Sequence, residues 1–405
     1  MVFTTAWPRH ALVTGAVLAA AVLPAAGLPV TGAHRAAAGS HQAAGTRPVS
    51  YLGYRFRVPA SWPVTGLAGR PGTCVRFDRH VIYLGRPGGG QFCPVNLVGA
   101  TEAVLVQPAA AGQATSSTVD PVAHRITVTT PRITVTATYQ ADPALVRAIL
   151  ASAGLPAPTA LDPAAMAPRL VPTSTLRRRV TNYTGRGFDA CAAPDPATMV
   201  AWLHSRYRAV GIYIGGSDRA CAQPNLTPAW LVQQAAIGWH FIPLYVGPQV
   251  SFKGEITDPA AQATAAAQDA VVQAELLGFR RGTPIYYDME AYQPKQTPEA
   301  LAFFAAWTTE LHLLGYRSGI YSSSLSGVID LANNFSNPAY VMPDVIYDAW
   351  WNGEHNTIDP NIPVTDWANH QRVHQYAGDI TQTHGGVQMN IDRDYLDVHF
   401  GLGPV

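Results

Sequence analysis

Charged residues are scarce, 13% of a 405-residue chain, and 27 Lys and Arg against 26 Asp and Glu leave a formal net charge of +1. Such a balance excludes a global pull toward nucleic acid or an anionic membrane, so function has to reside in local sites. Cysteine is sparse too: the four residues Cys74, Cys93, Cys191 and Cys221 form no C-x-x-C, and no histidine spacing of the zinc type accompanies them. No metal site is expected. Gly88 to Gly90 and the pair Gly215–Gly216 precede neither Lys-Ser nor Lys-Thr, which weakens a phosphate-loop reading. The run "YSSS" at Tyr321 to Ser324 lacks the frame of a nucleophile elbow. No cofactor is expected.

The apolar run from Ala11 to Leu23 is also short, ending at Pro24, where a transmembrane helix needs about 20 uninterrupted apolar residues. With Arg9 before it and small residues after it, this segment has the order of a secretory signal peptide, here expected over residues 1–33. The expectation is an exported chain, secreted or wall-associated, with no stable membrane span once cleaved. This segment has no twin arginines, so a general export route is the simpler one. In an oxidising compartment the sequence-local pairs Cys74–Cys93 and Cys191–Cys221 are expected as disulfides.

What remains reads as two folded parts. A spacer over 34–49 leads to short alternating segments such as "HRITVTTPRITVTATY" and a helix in "DPALVRAILASAG", together a small α+β module over 50–153. A Pro- and Ala-rich linker follows over 154–184. From 185 to 405 apolar runs alternate with helical segments: "GRGFDA", "AVGIYIGG", "WHFIPLYVG", "TPIYYDME", "YRSGIYSS", "DVIYDAWW", "HQRVHQYAG" and "VQMNIDRDYL" are the strands. The fold class is α/β, with a modified TIM-type (β/α) barrel at the C-terminus and a doubly wound open sheet as the alternative.

In a parallel barrel the C-terminal strand ends carry the site. Asp189 ends the first strand, Asp288 and Glu290 end the fourth, and Asp392 lies in the last, with Asp394 as its rival. Alternation along a strand turns Tyr286, Asp288 and Glu290 to one side. Two carboxyls facing one space suit glycosidic cleavage, one protonated to serve the leaving oxygen and one ionised for the oxocarbenium centre; crowding and apolar walls raise the acid's pKa. Glu290 is cast as the acid and Asp288 as its ionised neighbour. Tyr213, Tyr245, Tyr321, Trp350 and Tyr376 lie at or near strand ends, where flat rings can stack on sugars.

The segments "GRGFDACAAPDPATMVAW", "YRAVGIYIGGSDRACAQPNLTPAWL", "GWHFIPLYVGPQ", "PIYYDME", "GIYSS" and "HQYAGD" resemble the actinobacterial glycoside-hydrolase-like domain known as domain of unknown function 1906, over about 185 to 401. That family is similar to the family 25 lysozymes, which cleave peptidoglycan glycan on a modified (β/α) barrel. The lysozyme order of acids is matched by Asp189, Asp288 with Glu290, Gln375 with Tyr376, and Asp392. The resemblance implies Glu290 as proton donor, Asp288 as nucleophile or as the group orienting a substrate acetamido, and Asp189 and Asp392 as holders of sugar hydroxyls. It implies a glycosidase engaging peptidoglycan-type glycan, and the exported chain is expected to be a monomer; the alternative is a non-catalytic carbohydrate-binding envelope protein on the same barrel.

Overall fold

Eight strands close into a barrel in the computed structural model, which describes residues 45–158, 176 and 180–401. They are β9 (Tyr183–Asp189), β10 (Ala209–Gly215), β11 (His240–Tyr245), β12 (Pro284–Asp288), β13 (Arg317–Ser323), β14 (Val345–Ala349), β15 (Gln371–His384) and β16 (Val387–Val398). The expected signal peptide lies outside the described residues, as do most of the spacer and of the linker. Among the described residues no helix is long and apolar enough to cross a membrane.

Alternation sorts the barrel residues into two cores. Ala209, Leu244, Tyr286, Tyr321, Tyr347, Val373 and Leu396 fill the interior, while Phe188, Ile212, Tyr245, Tyr287 and Ile346 belong to the shell beneath the helices. The helices follow their punctuation. Asp195, Thr227 and Asp258 cap α2 (Pro196–Trp202), α3 (Pro228–Ala236) and α4 (Pro259–Leu277), each with Pro in the first turn, and Gly315 in the left-handed region ends α5 (Thr297–Leu314).

The last third of the barrel is irregular, as the modified TIM-type expectation allows, and departs from a (β/α) repeat. A short α6 (Ile329–Asn333) precedes β14, residues 350–370 form a loop, and β15 returns directly as β16, which runs antiparallel to both β15 and β9. An antiparallel return needs only a tight turn, whereas a parallel one needs a crossover of a dozen or more residues. Gly385 and Gly386 supply the turn, with φ of +55° and +79°. The result is a mixed α/β chain with a closed eight-stranded barrel, parallel from β9 through β15 and with a tight turn rather than a helix between β15 and β16.

The N-terminal module pairs β1 (Thr46–Tyr51) with β2 (Tyr54–Pro59), so residues 46–49 are strand rather than spacer. Its main sheet has the order β3 (Val64–Gly66), β4 (Val81–Leu84), β5 (Ala103–Pro108), β8 (Ile133–Thr138), β7 (Arg125–Thr129), β6 (Ser116–Asp120), with α1 (Pro143–Ser152) packed on it. Ahead of α1, the buried Glu102 carboxylate accepts the backbone N–H groups of Gln140, Ala141 and Asp142 at 3.0, 2.8 and 2.8 Å and the Thr101 hydroxyl at 2.8 Å. Burial pushes its pKa up, but these donors outweigh it and hold it down to about 2. Glu102→Gln is expected to lose about 2 to 3 kcal/mol, the cost of removing the charge these donors bind. Because the folded pKa is depressed, the loss is full at neutral pH and shrinks as pH falls from 4.5 toward about 2, which thermal melts over that range check.

Candidate functional site

The acids meet at the end of the barrel where the parallel strands finish. Asp189 closes β9, Asp288 closes β12, and antiparallel β16 places Asp392 directly beside Asp189 in register. All three are buried, at 1%, 6% and 0% exposure, which a carboxylate tolerates only with partners or a proton. Gly211 on β10 makes room for the first: a Cβ there would lie 2.4 Å from that of Asp189.

Gln375 ties the cluster together. Its amide nitrogen donates to Asp189 at 3.1 Å and Asp392 at 3.3 Å, while its oxygen accepts from Tyr321 at 3.1 Å and Trp351 at 2.9 Å. Asp189 further accepts from Tyr213 at 2.8 Å and Tyr347 at 3.3 Å, and Asp392 from the Asp379 N–H at 2.6 Å. Gln249 fixes the Asp-x-Glu turn, donating to the Asp288 carbonyl at 2.8 Å and accepting the Glu290 N–H at 2.8 Å. Asp394 lies one pleat deeper, paired in register with Gly187 and fully buried, so Asp392 is the acid at the level of Asp189.

Every carboxyl here binds its proton more tightly than usual. Burial, followed by the neighbouring Glu290, Asp189 and Asp392, raises Asp288 well above the carboxylate range, and one of its oxygens has no hydrogen-bond partner. Asp392 is pushed up to about 9 by burial and then by Asp189; Glu290 is pushed up to about 7 by burial and then by Asp189. Glu290 is therefore the acid whose proton is exchangeable at neutral pH.

The expected aromatics divide. Tyr213 and Tyr321 line the cavity beside Asp288 and Glu290. Tyr286 faces inward but lies below the mouth, packed edge-on against Tyr347 at 5.9 Å. Tyr245 faces the opposite way, because Leu244 takes the inward position, and its hydroxyl donates to Asp269 of α4 at 2.8 Å. Trp350 lies beside His374 and Tyr376 beside His355, both rings about 6.2 Å apart, on the outer side of β15. Proximity to a strand end does not distinguish the two faces; parity does. Trp351, one residue beyond Trp350, is the ring that serves the mouth: 53% exposed, bonded to Gln375, and laid so closely on Gly378 that a Cβ there would lie 1.9 Å from it. Tyr347 and Gln249 were equally unmarked, since only the barrel brings β14 and the loop after β11 to the acids.

The N-terminal module roofs this mouth. Asn96, Leu97 and Val98 line the same cavity as Asp288 and Glu290, and only about 10 Å³ remains within it, room for about one water. The roof is joined to the loop after β10 by backbone bonds from Phe77 N to Ala220 O at 2.7 Å, Ala222 N to Val75 O at 2.9 Å, and Gly99 N to Asp218 O at 2.8 Å. Cys74 is bonded to Cys93 and Cys191 to Cys221, and the two bridges pack together, with the sulfurs of Cys74, Cys93 and Cys221 within 4.8 Å of one another. Module and barrel thus form one compact unit.

At the edge of this contact Asp218 is pushed up to about 8, by burial and then by the charge of Glu255, which also accepts from Gln140 of the module at 3.1 Å. Its ionised form is disfavoured while the roof is closed, so opening becomes easier as pH rises from the ordinary carboxylate range up to about 8, and no further above it. Amide exchange at Gly99 is expected to accelerate more between pH 5 and 8 than base catalysis alone accounts for, the excess levelling off above pH 8, and Asp218→Asn is expected to remove it.

Residues 200–396 match the family model described as Rv2525c-like, glycoside hydrolase-like domain. No curated protein matches the chain. Similar solved structures include an uncharacterised protein of B. stearothermophilus, 19% identical over 52% of this chain and 95% of that one, with a TM-score of 0.38. A second is the Mycobacterium tuberculosis Tat-secreted protein Rv2525c in complex with L-tartrate, 16% identical over 53% and 96%, TM-score 0.38. A third is the catalytic domain of endolysin ply40 from bacteriophage P40 of Listeria monocytogenes, 14% identical over 53% and 94%, TM-score 0.34.

Proposed function

We propose that the chain is an exported glycosidase-type protein engaging cell-wall glycan, with Glu290 as general acid, a reading supported by the match of residues 200–396 to the model of an Rv2525c-like, glycoside hydrolase-like domain. The observation that carries this reading is the convergence of Asp189, Asp288, Glu290 and Asp392 on one end of a closed barrel, with Glu290 at about 7 able to hold and release a proton. Glu290 protonates the leaving glycosidic oxygen. Asp288, or a substrate acetamido group held by it, meets the oxocarbenium centre, while Gln375 keeps Asp189 and Asp392 in place for sugar hydroxyls and Trp351 offers an exposed ring. On binding, a sugar hydroxyl or solvent has to reach Asp288 for it to ionise; the roofed form is the resting form.

The roof also favours a second reading, engagement of glycan without turnover. Labelled peptidoglycan and soluble chitooligosaccharides separate the two: the wild type is expected to release new reducing ends, and Glu290→Gln to bind without releasing them. Binding by both proteins with no release from either would leave the non-catalytic reading standing and remove the catalytic one.

A further inference from the structure

Where β15 and β16 close the barrel, α2 packs only on their turn end, through Trp202 edge-on to His384 at 4.9 Å, and the residues of the outer wall there are unlike the rest of a sparsely charged chain. We propose that this wall carries a binding site for a phosphate ester borne on a small polyhydroxylated carrier, separate from the acid cluster. Alternation that turns Asp189 and Asp392 inward turns Arg186 of β9 and Arg393 of β16 outward, and register brings them together, since Arg393 pairs with Phe188, two residues from Arg186. Arg206 and His204 follow α2, His355 comes from the 350–370 loop, and His384 from the end of β15; all six line one cavity of about 400 Å³. No carboxylate lines it. Among the described residues none of the three arginines is in an ion pair.

Gathering like charges costs stability, and of the three guanidinium groups that of Arg393 alone is given a partner in the wall, the Gln382 amide. An oxyanion calls for them: planar forks from several sides suit a dianion with three equivalent oxygens better than they suit one carboxylate. The positive field is felt by His384, held below its ordinary value by burial and then by Arg393. Neutral groups complete the lining. Tyr207 and Tyr376 contribute hydroxyls, and the Gln382 amide is placed with its oxygen accepting from Arg393 Nε at 3.0 Å and its nitrogen toward Tyr207 and His384. Such donors and acceptors suit the hydroxyls of a carrier, and the volume is that of a small-ligand site.

The test is calorimetric titration at fixed ionic strength with glucose 1-phosphate, inorganic phosphate and glucose. Glucose 1-phosphate is expected to bind about tenfold more tightly than inorganic phosphate, and glucose not at all. Arg206→Gln and Arg393→Gln are each expected to weaken binding of glucose 1-phosphate about tenfold, with imidazole NMR signals of His355 and His384 shifting on binding in the wild type. Arg206 is exposed, so its variant keeps the test valid if Arg393→Gln misfolds. Equal affinity of Arg206→Gln and the wild type overturns the site; inorganic phosphate binding as tightly as glucose 1-phosphate overturns the carrier; measurable binding of glucose overturns the phosphate requirement. Glu290→Gln is expected to bind glucose 1-phosphate as the wild type does, so failure of the glycosidase reading leaves this one untouched.

Discussion

Asp288→Asn is expected to abolish glycan cleavage, a loss of about three orders of magnitude or more, and at the same time to raise the thermal midpoint at pH 8. The two effects have one cause. In the folded chain Asp288 is buried, has an oxygen without a hydrogen-bond partner, and faces Glu290, Asp189 and Asp392, so its charged form is strongly disfavoured. In the unfolded chain it ionises near its ordinary value. The folded state therefore binds the extra proton, and stability falls as pH rises above about 4, at up to about 1.4 kcal/mol per pH unit for each such group until its folded pKa is reached. Asp392, at about 9, adds to the same slope. Asparagine keeps the shape and removes the titration. The midpoint difference between Asp288→Asn and the wild type should thus be small at pH 4 and grow toward pH 8; a midpoint lowered at pH 8, or a difference independent of pH, would sink the account. Glu102, whose pKa is depressed, works in the opposite sense but only below pH 4.5.

How far the sequence led can be seen at the same residues. The stretch Pro284 to Glu290 announces a buried strand ending in two acids, and period-two alternation suffices to set Asp288 facing inward; the order of the eight strands was legible for the same reason. Closure was less so. That β16 runs antiparallel is written only in the pair Gly385–Gly386, a local signal with a long-range result. For aromatic residues, nearness to a strand end misled wherever parity was not applied: Tyr245 and Tyr376 sit on the outer face, and the ring of Trp351 rather than that of Trp350 reaches the Gln375 side chain. The roof was beyond reach altogether. Val98 and Arg219 meet as a bridge across more than a hundred residues of chain, and nothing in either local sequence names its partner.

That roof gives the second large expected effect. Releasing it from the mouth is expected to raise kcat/KM on peptidoglycan on the order of 100-fold. Three backbone hydrogen bonds join it to the loop after β10, and at about 1 kcal/mol each they favour the closed form by about 3 kcal/mol before any apolar contact is counted. A site open for less than about 1% of the time gains about that factor when it is opened permanently. Gly99→Pro is the direct probe. It removes the N–H that Gly99 donates to the Asp218 carbonyl, and it demands a φ near −65° where the chain has +105°. Leu97→Ala is the milder companion, enlarging the space beside Glu290 while leaving the backbone contacts in place. If Gly99→Pro exposes Val98 and its neighbours to rapid amide exchange while cleavage stays at the wild-type rate, access is not what limits the site. Combining Gly99→Pro with Glu290→Gln should return cleavage to background, because an open mouth without its proton donor has nothing to transfer to the leaving oxygen.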